Sequence, residues 1–113
     1  MGEGEPNWAE ERRGDVRVIA PSGRVDEATA TQFAEHLAQA ASQGGRIVLD
    51  LAGIPYMSSR GLRALTLAQR RGAEAGTTIV LARPGETMRE ILAISRYDQV
   101  FRVAETIEDA LGD

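Results

Sequence analysis

Two short apolar runs, RIVLDL at 46–51 and TTIVLA at 77–82, constrain this chain more than any other feature. Each is nearly continuous in aliphatic residues and too short for a buried helix. That is the mark of a strand covered on both faces, as in a parallel sheet. The stretch between them, LRALTLAQRRGAEAG, carries a helical pattern. A strand, a helix and a second buried strand in succession form a crossover unit, and helices must then cover the sheet.

The rest of the chain extends that unit. Trp8 to Arg12 can form an edge strand, and Gly14-Asp15 turns it into VRVIAPSG, where Val16, Val18 and Ala20 alternate with Arg17 and Ile19. Two strands joined at RRGD make a hairpin. Asp26 or Thr29 caps a first helix, whose inner face is Ala30, Phe33, Ala34, Leu37 and Ala41. Gly44-Gly45 ends it. The second helix is expected to begin with Leu62, Leu65, Leu67 and Ala68, to run to about Ala75 and to stop at Gly76. Pro84-Gly85 leads into ETMREILAISR, a third amphipathic helix with Met88, Ile91 and Leu92 inward. Residues 100–103, VFRV, read as a short strand, and Thr106 opens a last helix, TIEDAL. The order β-β-α-β-α-β-α-β-α predicts an α/β fold: a mixed sheet with an N-terminal hairpin and about four helices packed around it. Residues 1–6 are expected to be a disordered tail and 7–113 a single domain.

A chain of 113 residues can build one core without staples. With 42% hydrophobic and only 4% aromatic residues, aliphatic side chains and alanine must build it. The absence of cysteine excludes disulfides, thiol catalysis and thiolate metal sites. A single histidine excludes a multi-histidine metal centre, and no cofactor is implied. All 13 basic residues are arginine, yet the net charge is −4, which argues against nonspecific nucleic-acid binding. No segment approaches the ~20 apolar residues of a membrane span, so no direct membrane insertion is expected. MGEGEPNWAEERRG has neither the basic start nor the apolar stretch of a signal peptide, and a cytoplasmic location is expected.

The catalytic inventory is thin. His36, beside Glu35 on the first helix, is a nominal phosphoryl acceptor, but its place opposite the Phe33–Leu37 face suits a solvated side chain. Asp50 ends a strand, where catalytic carboxylates often sit, yet no second carboxylate, histidine or lysine is placed to work with it; a turn or cap role fits better. The glycines of GGRIVLDLAG lack the GxxxxGK[ST] order of a phosphate loop. The chain is therefore not expected to be an enzyme.

The stretch YMSSRGL at 56–62 stands at the turn from buried strand to helix. Serine is a favoured helix N-cap, which accounts for one hydroxyl. A helix start also offers free N–H donors and partial positive charge. A phosphoserine there adds about −1.5 to −2 charges. The helix end accommodates them, with Arg60 and Arg63 at hand. Such a modification would change the sign of the surface while sparing the fold.

At this point the chain resembles the STAS domain family, specifically bacterial anti-sigma factor antagonists. GRVDEATATQF, IVLDLAGIPYMSSRGLRAL, TTIVLARPGETMREILAISRYDQVFRV and TIEDAL carry the resemblance, which spans roughly Trp8 to Leu111. It implies that Ser59 is phosphorylated by an anti-sigma factor that is also a GHKL-type serine kinase. The unphosphorylated form would bind that partner and release a sigma factor, and a PP2C-type phosphatase would reset the cycle. The recognition surface would include Met57, Ser58, Arg60 and Leu62, with Gly23 and Asp26 in the preceding loop. The commonest family form places aspartate before the acceptor, where this chain has Ser58, which makes Ser58 an alternative acceptor. Arg60 stands where serine or threonine is common. The other reading that the resemblance allows is an unphosphorylated STAS scaffold or lipid-transport accessory subunit, with Ser59 only a cap.

Overall fold

A computed structural model describes residues 7–112. The elements run β1 (Asn7–Arg13), β2 (Val16–Ser22), α1 (Ala30–Ala41), β3 (Gly45–Asp50), α2 (Ser59–Ala75), β4 (Thr77–Ala82), α3 (Glu86–Ile94), a 3-10 turn (Tyr97–Gln99), β5 (Val103–Ala104) and α4 (Ile107–Leu111). The strands lie in one sheet in chain order. β1 and β2 are antiparallel across the Gly14-Asp15 turn, and every later pairing is parallel. This is the mixed α/β sheet with an N-terminal hairpin that the pattern predicts. The tail expected at residues 1–6 lies outside the described residues.

Alternation along β3 divides the core. Ile47 and Leu49 join Ile19, Leu81, Phe33, Leu37, Leu65 and Met88 on the face covered by α1, α2 and α3. Val48 joins Val16, Val18, Ala82, Ala104 and Ala110 on the face covered by α4. Because both faces are packed, β2 buries four consecutive residues, Val16 to Ile19, rather than every second one. Arg17 is among them. Its guanidinium finds no carboxylate among the described residues and donates instead to the carbonyls of Ala40 (2.8 Å) and Gly44 (3.0 Å) and to the Gln43 side chain (3.3 Å). The carbonyls where α1 ends, among them Ala40 O with only a long 3.4 Å bond from Gln43 N, take the place of a counter-ion.

Three elements depart from the sequence reading, α2 in two respects. α2 begins at Ser59, three residues before the first apolar position of its stripe, because the N-cap starts the helix and the stripe does not. Leu67, grouped with Leu62, Leu65 and Ala68 at the start of the helix, is 43% exposed, and the buried stripe runs through Leu62, Ala64, Leu65 and Ala68. α3 stops at Ile94, and Arg96, at φ 66°, turns the chain away. The last strand is Val103–Ala104 rather than 100–103: Phe101 drops into the core while Val100 stays outside.

Candidate functional site

The loop from β3 to α2 is held from below and from the side. Its apolar residues Leu51, Ile54 and Met57 are almost fully buried. The loop between β2 and α1 is stitched to it by three backbone hydrogen bonds. Gly23 N donates to Gly53 O (2.9 Å), Val25 N to Tyr56 O (3.0 Å), and Ser58 N to Val25 O (2.7 Å). Val25 and Met57 thus form a lone parallel bridge beyond the end of the sheet. Two stretches whose bonded residues are 30 to 33 positions apart are fixed side by side, directly under the start of α2.

The two serines have different environments. Ser58 is the N-cap, with φ −77° and ψ 174°, and its Oγ accepts a long hydrogen bond from Gly61 N at 3.4 Å. It is only 8% exposed. Ser59 is the first helical residue, and it is exposed. The helix start spends the hydroxyl of Ser58 on capping and leaves that of Ser59 on the surface. The reading in which Ser59 serves as the cap is thereby corrected: that role belongs to Ser58.

The rim is charged and largely self-paired. Arg60 Nη1 donates to Glu27 Oε1 (3.2 Å), and Arg60 Nη2 lies 3.5 Å from Thr31 Oγ1, so this arginine ties α2 to the start of α1. Arg24 stacks over the Tyr56 ring at 4.5 Å and approaches Asp26 at 3.9 Å. Asp26 Oδ1 accepts from the amides of Ala28 (3.0 Å) and Thr29 (3.3 Å), while Thr29 Oγ1 accepts from Asp26 N (3.0 Å). Asp26 therefore shapes the turn into α1 and presents only part of itself outward. Arg63, one turn along α2, is exposed and has no hydrogen-bond or ion-pair partner among the described residues.

The residues expected at a recognition surface divide into two layers. Gly23, Asp26, Ser59 and Arg60 lie at the surface or its edge. Met57 and Leu62 are 2% and 9% exposed, and Ser58 is buried with them. These three set the height and angle of the rim from beneath it, and their side chains offer a partner little area. Gly61 belongs with them, although the sequence reading gave it no structural role. A Cβ at this position would stand 2.4 Å from Met57 Cγ and 2.7 Å from Val25 Cγ1. Only glycine lets the first turn of α2 sit this close to the bridge. The signal for it was a glycine inside the first turn of an amphipathic helix, where glycine costs about 1 kcal/mol relative to alanine and so needs a packing reason.

The other residues of catalytic type are engaged structurally. His36 stacks on Trp8 with ring centroids 4.9 Å apart, and Trp8 in turn meets Phe33 edge-on. Asp50 is 7% exposed and accepts two bonds from Arg83, Nε at 3.1 Å and Nη2 at 2.8 Å. That hydrogen bond and the Asp50 charge raise the Arg83 guanidinium pKa further above its ordinary value. Asp50 also accepts from Ala52 N (3.1 Å), which starts the loop toward Ser58. A cavity of about 520 Å³ lies between Val18, Ala20, Asp50, Arg83 and Ile107, and no residue from 52 to 63 lines it. Among the described residues no group of three or more His, Cys, Asp or Glu side chains is placed to hold a metal ion. No helix among them is long and apolar enough to cross a membrane.

Comparison with known proteins places this geometry among relatives. The profile of the STAS domain family matches residues 7–110. A Bordetella bronchiseptica protein named as a candidate anti-sigma factor antagonist, BtrV, is 35% identical over 94 residues, covering 82% of this chain and 81% of its own length. The anti-sigma-F factor antagonist RsfB of Mycobacterium tuberculosis is 28% identical over 97 residues, covering 85% and 79%. The crystal structure of an anti-sigma factor antagonist from Mycobacterium paratuberculosis superposes with a TM-score of 0.80 at 25% identity, covering 95% of this chain and 92% of that one.

Proposed function

The chain belongs to the STAS domain family, and on that premise we propose that it is an anti-sigma factor antagonist switched by phosphorylation of Ser59. In its unmodified form it docks through the rim around Ser59 onto an anti-sigma factor that also has GHKL-type serine kinase activity, and a sigma factor is released. The kinase transfers the γ-phosphoryl group of ATP to Ser59 Oγ, ADP leaves, and the hydroxyl proton passes to the kinase's base. The modified rim no longer docks. A PP2C-type phosphatase hydrolyses the ester and restores the serine. The protein itself is a regulatory binding module, not a catalyst.

The observation that carries this reading is the division of labour between the two serines. A kinase needs a hydroxyl it can reach, and Ser59 is exposed while Ser58 is buried and bonded to Gly61 N. The first turn of α2 contains no acidic residue, so a phosphate there meets free N–H donors and no like charge within that turn. Two relatives and one structural neighbour carry the antagonist name, which supports the same conclusion. Neutral Ser58 stands where the family usually has aspartate. Buried as a cap, it can fill the structural part of that position without a charge.

Incubation with ATP and the cognate kinase, followed by mass spectrometry, tests the proposal. One phosphate is expected on Ser59, absent from Ser59→Ala and retained in Ser58→Ala. Phosphate that persists in Ser59→Ala would overturn the assignment.

A further inference from the structure

We propose that Arg63 is the counter-ion of the phosphorylated site and that Arg60 is not. The inference rests on the reading of Ser59 as the acceptor and specifies how the modified state is held. α2 is helical from Ser59 onward, so Arg63 stands four residues on, one turn above Ser59 on the same face. Long side chains on a helix lean toward its N-terminus, which carries the Arg63 guanidinium down toward position 59. Arg63 is exposed and has no partner among the described residues, so pairing with a phosphate breaks nothing. Arg60 is the sequence neighbour, but it lies about 100° further around the helix and is already tied to Glu27 at 3.2 Å and near Thr31 at 3.5 Å. For Arg60 to turn to the phosphate, the link between α2 and the start of α1 would have to open.

This arrangement gives the switch two components. The unmodified surface presents Arg63 as a free cation beside a neutral hydroxyl. The modified surface presents a phosphate that has taken Arg63 for itself. A partner that used the cation loses it in the same event that confronts it with an anion. The ion pair also holds the phosphoryl group against the helix, which should slow its removal by a phosphatase.

The test uses the full chain with phosphoserine incorporated at position 59 during translation, so it does not depend on finding the kinase. The phosphate is titrated by 31P NMR in that protein and in its Arg63→Gln and Arg60→Gln variants. A nearby cation favours the dianion, so the midpoint should fall below the ordinary value of about 6. Arg63→Gln should raise it by about 0.5 in pH, and Arg60→Gln should move it less. The helix end and its free N–H groups are common to all three proteins, so the comparison isolates the guanidinium. An unchanged midpoint in Arg63→Gln, or a larger change in Arg60→Gln, overturns the inference and leaves Ser59 as the acceptor. Partner binding that survives phosphoserine at 59 would overturn the functional reading instead, whatever the titration shows.

Discussion

Gly61 and Met57 approach so closely that a single added carbon on Gly61 would stand 2.4 Å from Met57 Cγ. This contact sets the height of the first turn of α2 above the Val25–Met57 bridge, and with it the position of Ser59. Gly61→Ala gains about 1 kcal/mol of helix propensity but forces Met57 and Val25 aside, an overpacking cost of about 1–3 kcal/mol. A net loss of stability is expected, read as a lower denaturation midpoint with unchanged m-value. Partner affinity should fall with it. A Gly61→Ala protein of higher stability would show that the first turn is free to shift.

Ser58→Ala should cost about 0.5–2 kcal/mol, the usual value of a lost N-cap. Ser59→Ala, at an exposed position whose side chain makes no cap bond, should stay within about 0.5 kcal/mol of the parent. Chemical denaturation of the two single variants measures the contrast. Equal losses, or a larger one at Ser59, would reverse the cap assignment.

Much of the fold was legible because RIVLDL and TTIVLA have the length and composition of doubly covered strands. What the pattern missed has identifiable causes. The start of α2 was read from its apolar stripe, but the helix is set by Ser58, and Ser59, Arg60 and Gly61 carry no periodic signal. The strand pattern places Arg17 only as alternating with Val16 and Val18, and the arrival of the α1 C-terminus at its guanidinium explains its burial. At the site, the importance of the serine pair could be read from their place at the strand–helix turn. Which of the two was reachable could not, because that depends on the backbone angles at Ser58. The pairs Arg60–Glu27 and Arg83–Asp50 each join residues 33 apart, and no local pattern encodes them.

The buried guanidinium of Arg17 makes a further test. Arg17→Met keeps the apolar stem and removes the donors, taking one partner from Gly44 O and leaving Ala40 O only the long bond from Gln43 N. Leaving buried acceptors unmet costs about 1–3 kcal/mol. Because the partners are carbonyls and an amide, the loss should change little between low and moderate salt, and denaturation at two ionic strengths reads both quantities. A variant as stable as the parent would mean that water reaches these groups.

Ser59→Asp should weaken partner binding while the far-UV circular dichroism stays unchanged. The effect should be smaller than that of phosphate, since one carboxylate carries less charge and fewer acceptor oxygens. Unaltered affinity in a folded Ser59→Asp protein would count against charge as the means of release.

The most direct measurement is a calorimetric titration of the anti-sigma factor with two forms of this chain, one with serine and one with phosphoserine at position 59. Like charges brought together at an interface cost several kcal/mol, so the phosphorylated form should bind at least ~100-fold more weakly. Equal affinity of the two forms would contradict the account.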